Sequence, residues 1–298
     1  MPWLQLHLPS TADLADEVED ILLELGAVAV TLSDGADQPL LEPPPGAMPL
    51  WNETVVTALF EQTTNQDLLL IALTDRLGRA PVSHRFETVD DQRWERAWMD
   101  DFHPMPFGER LWIVPSWAEP PAPDAVNLRL DPGLAFGTGT HETTALCLNW
   151  LDGADVAGKT VLDFGCGSGV LAIAALLLGA ERAIATDIDP QALLATQANA
   201  ELNGVADRLH CCLPEQLPPG DYDLVLANIL AGPLVELAPL LLLHCRPGGA
   251  IVLSGILQDQ VDSVIEAYRH SVALNPVTLR GEWARVDGTC KPVPNSAA

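Results

Sequence analysis

VLDFGCGSGVLAIAALLLG, residues 161–179, carries an apolar strand past Asp163 into Gly165, Gly167 and Gly169, and then into an apolar helix that stops at Gly179. A strand, a glycine turn and a helix in that order is how a doubly wound sheet holds a nucleoside cofactor. The spacing then separates two cofactors. A dinucleotide site wants G-x-G-x-x-G, so that a pyrophosphate can approach the backbone at a helix N-terminus. Here the third glycine comes one residue early, and an acid stands two residues before the first. That acid repels a diphosphate and attracts an ammonium or sulfonium group. S-adenosylmethionine carries both cations and no phosphate.

The following segment, AERAIATDIDP, is a second apolar strand ending at Asp187, 18 residues after Gly169. Doubly wound folds place an acid there against ribose hydroxyls, and one carboxylate accepts from both the 2′ and 3′ groups. Asp189-Pro190 is the better start for the next helix, which leaves Asp187 for the ligand. The plainer reading of Asp163 is a buried carboxylate held by turn amides.

Before the first cofactor strand lies LDPGLAFGTGTHETT, residues 130–144, with three glycines and four threonines. A glycine segment that runs into a helix start can fold over a ligand. Thr143 and Thr144 fall in the first turn, where a hydroxyl and free amides can hold a carboxylate such as the methionine end of the cofactor. Simple capping is the alternative. Asn228 closes the strand DLVLAN, at the edge where ligands of such sheets gather, and is a candidate for orienting an incoming amine. No aromatic follows it in Asn228-Ile229-Leu230-Ala231. His141, alone in its glycine loop, reads as a structural hydrogen-bonding group before it reads as a base.

The alternation of strands and helices from 126 onward predicts an α/β domain, a seven-stranded, mostly parallel, doubly wound (Rossmann-like) sheet flanked by helices. Its last two strands are expected near 273–280 and 282–290. The first 89 residues differ. Strand PWLQLHL, a helix begun by Ser10-Thr11 and stopped by Gly26, strand AVAVTLS, strand TVVTALFE, helix DLLLIALTDRLG and strand SHRFETV give the order βαββαβ, a small ferredoxin-like α+β domain. Residues 90–102, DDQRWERAWMDDF, then read as a linking helix, with 103–298 as the cofactor domain.

The chain has 298 residues, 48% of them hydrophobic, and a formal charge of −26 with only two lysines among its 15 basic residues. Such a field repels nucleic-acid phosphate and steers in a basic protein partner, although solubility in salt would explain it as well. No run of 18 apolar residues occurs, and the N-terminus lacks the basic start of a signal peptide, so a soluble, cytoplasmic protein is expected. Six cysteines without a C-x-x-C pair read as free thiols and offer no metal site. Without a heptad run, a monomer is the default.

Taken together, LDPGLAFGTGTHETT, VLDFGCGSGVLAIAA, TDIDPQA and LANILAGPLVELAP resemble the PrmA family, methyltransferases of the large-subunit ribosomal protein L-eleven (L11). The likeness extends over essentially the whole chain. It implies an S-adenosylmethionine-dependent enzyme that methylates lysine ε-amines and an N-terminal α-amine of that protein, with the small N-terminal domain as the part that grips it. By motif position it places cofactor contacts on Thr144, Gly165, Asp187 and Asn228. Rival expectations keep the cofactor but change the acceptor to another protein, RNA or a small molecule, or exchange the cofactor for NAD. The charge disfavours RNA and the glycine spacing disfavours NAD.

Overall fold

A computed structural model of the chain describes residues 2–36, 38, 50–89, 102–131 and 141–292. The expected linker helix lies, except for Phe102, outside the described residues, as do the Pro-rich stretch 42–49 and Gly133, Gly137 and Gly139. The chain divides into two compact units, Met1–Trp98 and Met99–Ala298.

In the first unit, β1 (Trp3–Thr11), α1 (Ala12–Glu24), β2 (Ala29–Asp34), β3 (Glu53–Glu61), α2 (Gln66–Leu77) and β4 (Arg85–Val89) follow in the order expected. The four strands form an antiparallel sheet in the order β2-β3-β1-β4. Alternation fixes its faces: Leu4, Leu6 and Leu8 of β1 and Val56, Ala58 and Phe60 of β3 are buried with Val18 and Leu22 of α1 and Leu69 and Leu73 of α2. Two terminal details differ from the sequence reading. Ser10 and Thr11 continue β1, and Thr11 stands at the N-cap of α1 without a side-chain bond. Asn65, unremarked in the sequence, caps α2 by accepting from the Leu68 amide at 3.0 Å.

The second unit begins with β5 (Met105–Phe107), β6 (Leu111–Val114) and β7 (Val126–Arg129), a small sheet of its own. Its turn at 108–110 is built on Asp152, whose carboxylate accepts the backbone N–H groups of Glu109, Arg110 and Leu111. Then come α3 (Glu142–Gly153), β8 (Thr160–Phe164), α4 (Val170–Leu177), β9 (Arg182–Thr186), α5 (Pro190–Leu202), β10 (Leu209–Cys212), β11 (Tyr222–Asn228), α6 (Ala231–Glu236), α7 (Ala238–His244), β12 (Cys245–Leu257), α8 (Val261–Tyr268), β13 (Val272–Leu274), β14 (Thr278–Arg280) and β15 (Trp283–Cys290). The large sheet runs β10-β9-β8-β11-β12-β15-β13, with β14 also on β15. The five strands from β10 to β12 are parallel; β15 is antiparallel to its neighbours.

Both faces are covered, as a parallel sheet requires. Successive residues of β11 alternate between the two layers: Leu224 and Leu226 pack with α3, α4 and α5, while Val225 and Ala227 pack with α6, α7 and α8. The α/β fold class is the one read from the sequence, with one correction in the strands. The single strand expected near 273–280 is two, because Pro276 has no N–H to donate and interrupts the ladder. β13 therefore pairs with the far end of β15 and β14 with its start, giving eight strands. The expected helix 234–245 is likewise broken into α6 and α7, and β12 begins at Cys245, ahead of the expected Arg246–Gly249 turn.

Candidate functional site

The strand order reverses at β8: β9 and β10 lie to one side, β11 and β12 to the other. Ligands of open α/β sheets bind at the carboxyl ends of strands beside such a switch. Phe164 pairs with Ala227 in the β8–β11 ladder, which sets Gly165 and Asn228 at the next step, on that edge.

The glycine loop follows β8 as a series of tight turns. Gly165, Gly167 and Gly169 have φ of +76°, +54° and +77°, conformations that side chains resist. At two of them a side chain would also collide. A Cβ on Gly165 would stand 2.2 Å from Cγ2 of Ile229, and one on Gly169 would stand 2.6 Å from Cγ2 of Thr196. The loop is tied to its surroundings by backbone donors: the Gly165 and Cys166 amides donate to the Thr186 carbonyl, and the Gly167 amide donates to Oδ2 of Asp187 at 2.9 Å. The other Asp187 oxygen accepts the Asp189 amide at 3.0 Å. Asp189 caps α5 with Pro190 in its first turn, as the sequence suggests.

Two residues that the motif reading passed over fix the loop from the opposite side. On α5, Thr196 donates to the Gly167 carbonyl at 3.0 Å, and Asn199, nearly one turn on, donates to the Ser168 carbonyl at 2.9 Å. Their spacing of three on a helix puts both on one face. That spacing is present in the sequence; what it faces is not. Cys166, between the glycines, is buried, and burial raises its thiol well above the ordinary value, so it serves as a small loop side chain.

Asp163 lies at the floor of the loop, 1% exposed. Its Oδ2 accepts the Ala172 amide in the first turn of α4 at 3.0 Å, and its Oδ1 has no partner. Burial, reinforced by the nearby Asp187 charge and opposed by the Ala172 hydrogen bond, pushes its carboxyl up to about 7. The plainer sequence reading of Asp163 has its counterpart: the carboxylate is buried and held by a turn amide.

On the other side of the switch, Thr144 is fully buried in the first turn of α3. Nδ2 of Asn228 donates to its Oγ1 at 3.3 Å, and the Asn228 Oδ1 is buried without a partner. The N-cap of α3 is not a threonine but His141, whose Nδ1 accepts from the Thr143 amide and lies 2.8 Å from the Thr143 hydroxyl. Its ring meets Trp283 edge-on at 4.8 Å between centroids. The histidine thus has the structural role that the sequence reading preferred.

The segment after Asn228 is held as closely as the loop. Gly255, in the irregular part of β12 and with φ of +85°, gives Ile229 its room: a Cβ there would stand 2.2 Å from the Ile229 carbonyl oxygen. The sequence gives no sign of that contact, which joins positions distant along the chain.

Gly165, Asp187, Thr144 and Asn228 therefore lie on one edge of the sheet, with Asp187 tied to the glycine loop through Gly167 on one side of the switch and Thr144 tied to Asn228 on the other. The buried acceptor Oδ1 of Asn228, which has no partner, suits a ligand that brings an N–H donor. Among the described residues, no group of three or more His, Cys, Asp or Glu side chains could hold a metal, and no helix is long and apolar enough to cross a membrane. All six cysteines are free thiols.

Known proteins resemble the chain along its length. The family profile described as ribosomal protein L11 methyltransferase (PrmA) matches residues 2–291. The chain is 58% identical over 289 residues to the ribosomal protein L11 methyltransferase of Azotobacter vinelandii, covering 97% of this chain and 99% of that one. It is 57% identical over 291 residues to the protein of the same name from Edwardsiella ictaluri, with the same coverages. Among solved structures, the ribosomal protein L11 methylase of Lactobacillus delbrueckii subsp. bulgaricus superposes with a TM-score of 0.59 at 36% identity, over 64% of this chain and all of that one.

Proposed function

The chain belongs to the ribosomal protein L11 methyltransferase (PrmA) family, and on that premise we propose that it uses S-adenosylmethionine to methylate lysine ε-amines and the N-terminal α-amine of ribosomal protein L11. The observation that carries the reading is the pairing of Thr144 with Asn228 one strand away from the Gly167–Asp187 pair. One pair fits the methionine end of the cofactor and the incoming amine; the other fits its ribose. Bound S-adenosylmethionine supplies a methyl group already activated on sulfur for displacement.

The protein's part is alignment and desolvation. Thr144, in a helical first turn, is the assigned carboxylate holder, and Asp187, kept in place by the Gly167 and Asp189 amides, is the assigned ribose acceptor. Gly165 lets backbone approach the ligand. A lysine with pKa near 10.4 is only about 0.04% neutral at pH 7, so the acceptor amine must lose a proton before it can attack. Burial lowers an amine pKa, and the carboxylates that would raise it are engaged elsewhere. Asp187 is held by loop amides, and Asp163 lies beneath the loop. The proton leaves to solvent. Oδ1 of Asn228 is the acceptor we assign to orient the amine, and a single acceptor that leaves the remaining N–H free to turn permits repeated rounds.

The unit Met1–Trp98 is the part we assign to holding L11. Its helix α1 exposes Asp13, Asp16, Glu17, Asp20 and Glu24, a surface for a basic protein, in keeping with the net charge of −26. We place the reaction in the cytoplasm and carry it on a monomer without direct nucleic-acid contact; free thiols fit a reducing compartment.

The test is transfer of labelled methyl from S-adenosylmethionine to a total ribosomal protein fraction, with Asp187→Ala as control and mass analysis of the labelled band. Label on amines of L11 alone is expected. Label on RNA, or on another protein in place of L11, would overturn the assignment.

A further inference from the structure

β15 carries a second set of polar side chains that the mechanism above does not use. Trp283, Arg285 and Asp287 alternate with buried Ala284 and Val286, so all three point to the α3 face of the sheet. Each meets α3 at a different level. Trp283 packs on His141, the N-cap. Nη1 of Arg285 donates to the Leu146 carbonyl at 3.0 Å, and Oδ2 of Asp287 accepts from Nε1 of Trp150 at 3.2 Å.

The periods match. Four strand residues span about 13.6 Å and nine helix residues about 13.5 Å, so 283 to 287 and 141 to 150 keep step from end to end. The two polar groups are nearly buried, with side chains 13% and 4% exposed, and each nitrogen of the Arg285 fork and each carboxylate oxygen of Asp287 has a partner. Arg285 Nε donates to Asp287 Oδ1 at 2.9 Å and Nη2 to Thr278 Oγ1 at 2.9 Å; Asn275 Nδ2 donates to Asp287 Oδ2 at 2.8 Å. A hydrophobic contact would tolerate sliding of the helix, whereas directed bonds to one carbonyl and one indole do not.

We propose that Arg285 and Asp287 are positioning residues that fix α3 along its axis and so set Thr144 against Asn228. The proposal rests on the reading of Thr144 as a cofactor contact. Neither residue touches the ligand edge; both act through the helix.

The test uses the full chain with Arg285→Lys, which keeps the charge but not the three-way fork, and Trp150→Phe, which removes the indole donor together with one ring of packing. Val264→Ala, in the core on the opposite face of the sheet, is the control for lost stability alone. Two quantities are read below the unfolding temperature: the Kd for S-adenosylmethionine by calorimetry, and hydrogen exchange of the α3 first-turn amides in the ligand-free protein. Arg285→Lys is expected to raise Kd about tenfold and Trp150→Phe about threefold, the order of one misplaced hydrogen bond. Exchange at Thr144 and Ala145 quickens in both, while KM for L11 stays within about twofold of the parent and Val264→Ala changes neither quantity. Should Arg285→Lys fail to fold, Trp150→Phe alone decides. Parent-like Kd and exchange in the folded variants would overturn the proposal. Failure of the parent to methylate L11 would instead overturn the functional reading, and the exchange data would still judge the clamp.

Discussion

Asn228 at the end of β11 donates its side-chain amide to Oγ1 of Thr144, 84 positions earlier and in the first turn of α3, at 3.3 Å. The bond turns the amide so that its oxygen is buried and without a partner, the atom that on the proposed reading accepts from an amine. A buried acceptor without a donor costs about 1–3 kcal/mol, a cost that a bound ammonium or amine N–H relieves. Substitution to alanine removes both halves of this arrangement. For Asn228→Ala we expect kcat on L11 to fall by about one to two orders of magnitude, with the Kd for S-adenosylmethionine changing less. Steady-state kinetics with calorimetry on the same preparation checks the split; an unchanged kcat would remove Asn228 from the acceptor site.

Asp187 has two tasks, holding the Gly167 amide and, on our reading, accepting from ribose. Asp187→Ala is therefore expected to weaken S-adenosylmethionine by about a hundredfold, corresponding to two charge-assisted hydrogen bonds. Calorimetric titration measures it, and parent-like affinity would show the ribose assignment to be wrong.

Gly255 permits the close approach of the Ile229 backbone, and its φ of +85° is unfavourable for any side chain. Gly255→Ala should destabilise the fold by about 3 kcal/mol, from backbone strain and overpacking together. Gly165→Ala, at a similar φ of +76°, meets the Cγ2 methyl of Ile229 rather than its backbone and should cost less stability, yet it should weaken cofactor binding more. Denaturant unfolding paired with calorimetry tests the crossed pattern, which equal effects on both quantities would contradict.

The raised Asp163 carboxyl, about 7 against an ordinary 3.8, gives a pH dependence of definite sign. Between those values the folded chain holds a proton that the unfolded chain has released, so this group makes stability fall as pH rises from about 4 to about 7 and contributes no further change above. Asp163→Asn keeps an acceptor for the Ala172 amide and removes the titration. Its Tm advantage over the parent should widen across that window and level off beyond it. Thermal unfolding of both proteins at intervals across the window is the measurement; a constant difference would mean that Asp163 titrates normally.

The parts of this site that were legible in the sequence are those whose chemistry is local. A glycine at positive φ, an Asp-Pro helix start and an acid at a strand end each announce themselves within a few residues, and Thr144, Gly165, Asp187 and Asn228 all fall on the expected edge. What was not legible depends on partners far along the chain. Nothing around Thr196 or Asn199 marks them as holding the glycine loop, and Gly255 looks like an ordinary strand irregularity until Ile229 is placed against it. The split of β13 from β14 was readable in principle from Pro276, but the surrounding apolar residues masked it. His141 shows the reverse case, a residue whose capping role is local, and the structure places it at the N-cap of α3.

Ile229 is held between Gly165, at the end of β8, and Gly255, on β12, so the carboxyl ends of three adjacent parallel strands are keyed together by one side chain and its carbonyl. The cofactor loop cannot shift without pressing on the strand that carries Asn228, and that strand cannot shift without meeting β12. On the proposed reading, in which several differently placed amines are methylated, the enzyme then has little freedom to reshape the reacting edge for each. The adjustment has to come from how the acceptor protein is carried to the site, and selectivity among its amines becomes a matter of delivery rather than of pocket fit.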